Sequence, residues 1–236
     1  MSPVVSVVIP VFNEAGNIDP VILQTAAILR QSGRAFEIIV VDDGSTDATR
    51  SELESLASVV PECRTLPLPA HRGQGDALLA GLVAARGRWV VTLDGDGQND
   101  PADIPALLEP VIAGAVDLTC GWRDRRMDRW PRRVMSKIAN TVRRFVLHDQ
   151  VHDAGCQLRA FRREIVAVLR PIELMQSFLP AFAVAAGFRV GELRVRHHPR
   201  RHGRSNYGVR RLWWRPAIAM LKLRRDLSCP GRRLRE

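Results

Sequence analysis

The run Leu93-Asp94-Gly95-Asp96-Gly97-Gln98-Asn99-Asp100 places two carboxylates two residues apart, with glycine between and after them. The apolar Trp89-Val90-Val91 leads into it, so the carboxylates fall where a buried strand ends. Hard oxygen donors with open positions suit Mg²⁺ or Mn²⁺ shared with substrate phosphates. A calcium loop also uses Asp-x-Asp spacing, but here the glycine is misplaced and the closing glutamate is missing. An Asx-rich turn is the purely structural alternative. Asn13-Glu14 and Asp42-Asp43 are two further polar pairs, each following an apolar run of the same kind.

These residues need a frame. Val4–Ile9 and Phe36–Val41 read as buried strands, Arg64–Leu68 as a weaker one, and Arg88–Leu93 and Val116–Thr119 as two more. Between them Ala15–Leu29, a segment from Ser45 or Thr46 to Ser58, Gly73–Ala85 and Pro101–Ala113 read as helices. This alternation predicts an α/β fold, a mostly parallel sheet with helices on both faces. Ligands of such sheets sit at the carboxyl ends of the strands, where all three polar clusters fall. Beyond residue 121 we expect helices at Arg132–Leu147, Arg163–Leu169 and Phe178–Ala186, and strands at Cys156–Phe161 and Arg189–Val195. A basic loop, His197–Asn206, follows, then an amphipathic stretch from Tyr207 that Pro216 should kink.

The 236 residues carry a net charge of +10, unevenly placed. Residues 1–120 hold 7 Arg, no Lys and 16 Asp and Glu; residues 121–236 hold 28 Lys and Arg against 9 Asp and Glu. The basic half suits nucleic acid, phosphorylated small molecules or an anionic membrane face. A genome that favours arginine explains many of these residues, but not the asymmetry. The four cysteines form no CxxC pair and read as free thiols of a reducing compartment. Phe178–Phe188 is 11 residues and contains Pro180, against roughly 18 or more needed for a membrane span. Met1-Ser2-Pro3 lacks the basic start of a signal peptide, so the expected location is cytoplasmic.

Val8-Ile9-Pro10-Val11-Phe12-Asn13-Glu14, Val40-Val41-Asp42-Asp43-Gly44-Ser45-Thr46-Asp47, Gly73-x-Gly75-x-Ala77 and Leu93-Asp94-Gly95-Asp96-Gly97-Gln98 occur in that order. Together they resemble the family-2 glycosyltransferases with a GT-A, Rossmann-like fold. Gly121-x-Arg123, Trp130-Pro131-Arg132-Arg133-x-x-Ser136-Lys137-x-x-Asn140, Asp153-x-Gly155-Cys156 and Gly203-x-Ser205-Asn206-Tyr207 resemble the polyprenyl-phosphate (dolichyl-phosphate) mannosyltransferase branch. The resemblance covers residues 4–208. It implies a glycosyltransferase domain over 1–206, its nucleotide and metal half at 1–120 and its acceptor half at 121–206, followed by an arginine-rich tail at 207–236.

The resemblance also implies roles. Pro10, Phe12 and Glu14, with Asp42 and Asp43, would hold the nucleoside. Asp94, Asp96 and Gln98 would hold Mg²⁺ or Mn²⁺ at the donor diphosphate. Arg123, Arg132 and Ser136 would face phosphate groups, and Arg200 and Asn206 would close over the acceptor phosphate. Asp153 would orient sugar hydroxyls. Two departures stand out: relatives carry Lys where Asn206 stands, and Asn is common where His71 stands. Trp213 and Trp214 among Arg210, Arg211 and Arg215 suit an interfacial anchor, or a helix packed on its own domain.

The expected activity is inverting transfer of a hexose from a nucleoside-diphosphate sugar to a polyprenyl phosphate. GDP-mannose is the first donor and UDP-glucose or another UDP-sugar the alternative. The protein would sit peripherally at the inner face of the cell membrane. Two other classes stay open: a non-catalytic nucleotide-sugar-binding subunit, against which the intact Asp94-x-Asp96 argues, and a nucleic-acid-binding protein. For the latter the basic half lacks interleaved aromatics, so nucleic acid is not the expected partner.

Overall fold

The computed structural model describes residues 3–123, 140–147, 149–172, 174–199, 220 and 223–225. Strands β1 (Val5–Val11), β2 (Phe36–Asp42), β3 (Cys63–Pro67), β4 (Trp89–Thr92), β5 (Leu118–Trp122), β6 (Arg159–Arg162) and β7 (Val190–Arg194) form one sheet in the order β3-β2-β1-β4-β6-β5-β7. β6 runs antiparallel to both neighbours, β4 and β5, and all other pairings are parallel. β1 and β2 are buried along nearly their whole length, as central strands covered on both faces must be. β1 extends past the expected Ile9 to Val11. Pro10 lies beyond the last β4 partner, Val8 opposite Thr92, where the ladder on that side has ended and a missing N–H costs least.

Helices α1 (Ile18–Gln31), α2 (Thr49–Leu56) and α4 (Ile104–Ile112) cover one face; α3 (Gln74–Ala84) and α5 (Met175–Ala185) cover the other. Period-2 alternation divides β1 between them: Val5, Val7, Ile9 and Val11 join the first core, Val8 the second. α1 starts three residues later than expected, because Asn13 and Gly16 take left-handed backbone conformations and hold residues 12–17 in a loop. Residues 163–168, expected as an α-helix, form a 3-10 helix, and residues 140–147 are helical. Met220 and Leu223, from the expected tail, are buried in the α3/α5 core. The residues 207–219 that would decide between interfacial anchor and packed helix lie outside the described residues. Among the described residues no helix is long and apolar enough to cross a membrane.

Asp117, just before β5, ties together the edge of the sheet far from β3. Its carboxylate accepts hydrogen bonds from the Arg189 backbone N–H and guanidinium and from Arg162. The Arg189 hydrogen bond above all holds its pKa down to about 2, against an ordinary 3.8. A carboxyl depressed on folding contributes stability above its unfolded value and loses it as pH falls through the folded one. The stability difference between the native chain and Asp117→Asn is therefore expected to be full above pH 4 and to shrink steadily towards pH 2. Thermal midpoints measured across that window check it; a difference independent of pH would refute the assignment.

Candidate active site at the carboxyl edge of the sheet

The segments leaving β1, β2 and β4 meet at one edge. Phe12–Asn17 and Asp43–Ala48 are interlocked by hydrogen bonds. The Asn13 N–H donates to Ser45 Oγ, Asn13 Oδ1 accepts from the Thr46 N–H, and the Glu14 N–H donates to Thr49 Oγ1. Ala15 and Gly16 N–H donate to the carboxylates of Asp47 and Glu52. Asp42 is fully buried and accepts from the Ser45 N–H and from Arg50. Asp43, also buried, accepts from the Arg72 and Gly73 N–H groups at 2.8 Å and pairs with His71 Nδ1 at 2.8 Å. These two aspartates, expected to grip a nucleoside, also tie the end of β2 to α2 and to residues 71–73, because strand-end backbone groups need partners and a short carboxylate supplies them. The Phe12 and His71 rings stack at 3.8 Å between centroids. Glu14 Oε2 accepts from Asn17 Nδ2.

Beyond β4 lies the carboxylate pair. Gly95 separates them because a Cβ there would come within 2.6 Å of Val11 Cγ1, pressing the loop off β1. Asp94 Oδ1 accepts from Gln74 Nε2 at 2.8 Å, and Asp96 Oδ1 accepts from the Gln98 N–H at 3.1 Å. Pro10 and Gln74 line the same narrow gap beside Asp94. Burial first, then the charges of Asp96 and Glu14, push the Asp94 carboxyl up to about 7, while Arg123 and Arg159 pull it down. Such crowding of like charge is what a divalent cation relieves. Among the described residues no three His, Cys, Asp or Glu side chains form a cage. Two carboxylates with the remaining positions left to phosphate oxygens and water fit Mg²⁺ or Mn²⁺.

Arg123, expected to face a phosphate, closes on Asp153: Nε and Nη2 reach the two carboxylate oxygens at 2.7 and 3.0 Å. Asp153, expected to orient a sugar, is itself buried. Burial works against the Arg123 cation, but the hydrogen bonds and charge of Asp153 outweigh it and raise its pKa. The two residues are brought together as a pair thirty positions apart, which neither motif reveals alone. Arg132, Ser136, Arg200 and Asn206 lie outside the described residues.

Other residues of the site carry weaker sequence signals. His197 and His198, at the start of the expected basic loop, hold the segment after β7 against the aspartate loop. The His198 N–H donates to the Gln98 carbonyl at 2.8 Å, and its ring meets Asp100 at 3.2 Å. Arg196 bridges Asp100 and Asp103. Arg159 is fully buried in β6 and donates to the backbone carbonyls of Ala154 and Gln176. An arginine inside the apolar run Cys156–Phe161 was its signal.

A seven-stranded sheet with one reversed strand, and a carboxylate pair beyond β4, define a GT-A nucleotide-sugar fold. Glucosyl-3-phosphoglycerate synthase from Mycobacterium tuberculosis, solved with Mn²⁺, UDP and phosphoglyceric acid, has the same fold. It superposes with a TM-score of 0.70 at 21% identity, over 94% of this chain and 78% of that one. The family model for glycosyl transferase family 2 matches residues 6–170, and the chain belongs to that family of enzymes. It is 38% identical over 215 residues to the dodecaprenyl-phosphate galacturonate synthase of Rhizobium johnstonii, covering 87% of this chain and 62% of that protein. It is 40% identical over 210 residues to the undecaprenyl-phosphate 4-deoxy-4-formamido-L-arabinose transferase of Pseudomonas paraeruginosa, covering 88% and 61%. The chain thus spans about three-fifths of the length of these relatives.

Removing one member of a buried ion pair strands the other charge, at a cost of about 3–5 kcal/mol. Arg123→Ala is therefore expected to destabilise folding by that order. The double variant Arg123→Ala/Asp153→Ala should lose less than the sum of the single changes. Urea unfolding of the four proteins measures the coupling; strict additivity would contradict it.

Proposed function

We propose that the chain carries the transfer centre of an inverting polyprenyl-phosphate sugar transferase that uses a UDP-sugar. The observation that carries the reading is the Asp94 and Asp96 pair beyond β4, with the Asp94 carboxyl raised by burial and by its neighbour. The relatives support the lipid phosphate acceptor, since their names specify dodecaprenyl and undecaprenyl phosphate. They favour UDP-sugars over GDP-mannose: their sugars are galacturonate and a formamido-arabinose, and the fold neighbour binds UDP.

Asp94 and Asp96, with Gln98 beside them, would hold the cation, which would offset the charge developing on the departing nucleoside diphosphate. Phe12 would offer its ring to the base, and Glu14 and Pro10 would flank the nucleoside. In the reaction the bond from the anomeric carbon to the diphosphate oxygen breaks and its electron pair leaves with UDP. A lipid phosphate oxygen bonds to the opposite face of that carbon. The second pKa of a phosphate monoester is about 6, so the nucleophile is already anionic at pH 7 and needs no protein base. Catalysis rests on in-line placement and on the electrostatics around the leaving group. Arg123 would act from within its pair with Asp153, adding positive potential without leaving its partner. Arg132, Ser136, Arg200 and Asn206 would contact the phosphates, and the basic second half would meet an anionic membrane surface at its inner face.

Labelled UDP- and GDP-sugars incubated with undecaprenyl phosphate and Mn²⁺ or Mg²⁺, followed by lipid extraction, test the reading. Label is expected in the lipid phase from a UDP-sugar, lost with excess chelator and reduced at least ~100-fold in Asp96→Ala. Transfer from GDP-mannose alone would overturn the donor assignment; undiminished transfer by metal-free protein would overturn the metal role.

A further inference from the structure

Asp94 lies in a chain of side chains reaching across the fold. Gln74, the first residue of α3, donates from Nε2 to Asp94 Oδ1 at 2.8 Å. The Gln74 Oε1 accepts from Gln176 Nε2 at 3.4 Å. Gln176 is buried near the start of α5, and its backbone carbonyl accepts from the fully buried Arg159 guanidinium. Gly75 leaves room for this: a Cβ there would stand 3.0 Å from Gln176 Oε1.

An amide donates at one end and accepts at the other. A carboxylate only accepts, so a glutamine beside it turns its nitrogen towards it and leaves its oxygen for another donor. For Gln74 that donor is Gln176. The first amide is thus held at both ends, by Asp94 and by the second amide, whose own backbone is anchored by Arg159. A carboxylate that would coordinate a cation is held at one oxygen, with its rotation about the Cβ–Cγ bond restricted.

We propose that Gln74 and Gln176 are positioning residues, an amide relay that orients the Asp94 carboxylate for a divalent cation and so sets the metal affinity of the site. The inference rests on the metal role given to Asp94 and Asp96 above. Outer partners of metal ligands typically govern about 10–100-fold in affinity.

The test measures Mn²⁺ binding by electron paramagnetic resonance of the free ion, with and without UDP, for the full chain, Gln74→Met, Gln176→Met and Asp96→Ala. Methionine keeps the length of glutamine and removes the hydrogen bonds. The Mn²⁺ dissociation constant is expected to rise about 10-fold in Gln74→Met and about 3-fold in Gln176→Met, which touches no proposed ligand. In both, kcat at saturating Mn²⁺ should return to near the native value, and the metal-free thermal midpoint should stay near that of the native chain. Unchanged Mn²⁺ affinity in both variants, with tight binding by the native chain and loss in Asp96→Ala, overturns the relay alone. A fall in kcat that saturating Mn²⁺ does not restore also overturns it, because the amides would then act elsewhere. Absence of Mn²⁺ binding by the native chain overturns the metal reading, and the relay with it.

Discussion

Like charge gathered at a strand end is the constraint around which this site is built. Asp94 is half-buried with the carboxylates of Asp96 and Glu14 acting on it, and the arrangement is unfavourable enough to raise its pKa to about 7. Two buried cations oppose that rise, and neither is free to remove it. Arg123 is committed to Asp153, which fixes its orientation and offsets part of its charge. Arg159 donates to main-chain carbonyls at the start of α5 and ahead of β6, which fixes its distance from Asp94. What remains is a deficit of positive charge at a place where a diphosphate would add more negative charge. A divalent cation answers both parts of that problem at once.

Rigidity around the deficit follows from the same edge of the sheet. Parallel strands end with unpaired backbone groups, and the loops after β1 and β2 satisfy one another's. Asn13, Ser45, Thr46, Asp47 and Thr49 spend their polar atoms on this latch, and Asp43 extends it to residues 71–73. The third loop, after β4, is held from the other side by Arg196, His197 and His198. Residues 196–198 of the second half therefore pack directly on the loop that carries Asp96 and on the turn after it.

The alternation of apolar runs made the parallel frame and its carboxyl edge legible, because burial on both faces leaves a continuous apolar signature. The reversal of β6 was not, since Gln157-Leu158-Arg159-Ala160-Phe161 has the same composition whichever way it runs. The late start of α1 was hidden for a related reason: residues 15–17 tolerate a helix, but the left-handed Gly16 and the hydrogen bonds from the Ala15 and Gly16 N–H groups to Asp47 and Glu52 hold them in a loop. Residues 163–168 have helical composition too, yet tighten into a 3-10 turn between β6 and α5.

Within the candidate site, residue type and spacing disclosed the pairing of Asp94 and Asp96, because it is local to one turn. They did not disclose who faces whom. Arg123 and Asp153 each sit in a motif that suits a ligand, and only the fold shows that either can satisfy the other. Gln74 and Gln176 are separated by 102 positions and carry neutral amides, which leave no mark in charge or periodicity. A charged side chain is costly to bury, so its presence in an apolar run announces itself, as Arg159 does between Leu158 and Ala160. An amide is cheaper to bury and can sit at a helix start without comment from composition. Long-range polar contacts between such residues are therefore the part of a site that a sequence conceals best, even where they end on a carboxylate that the sequence singles out.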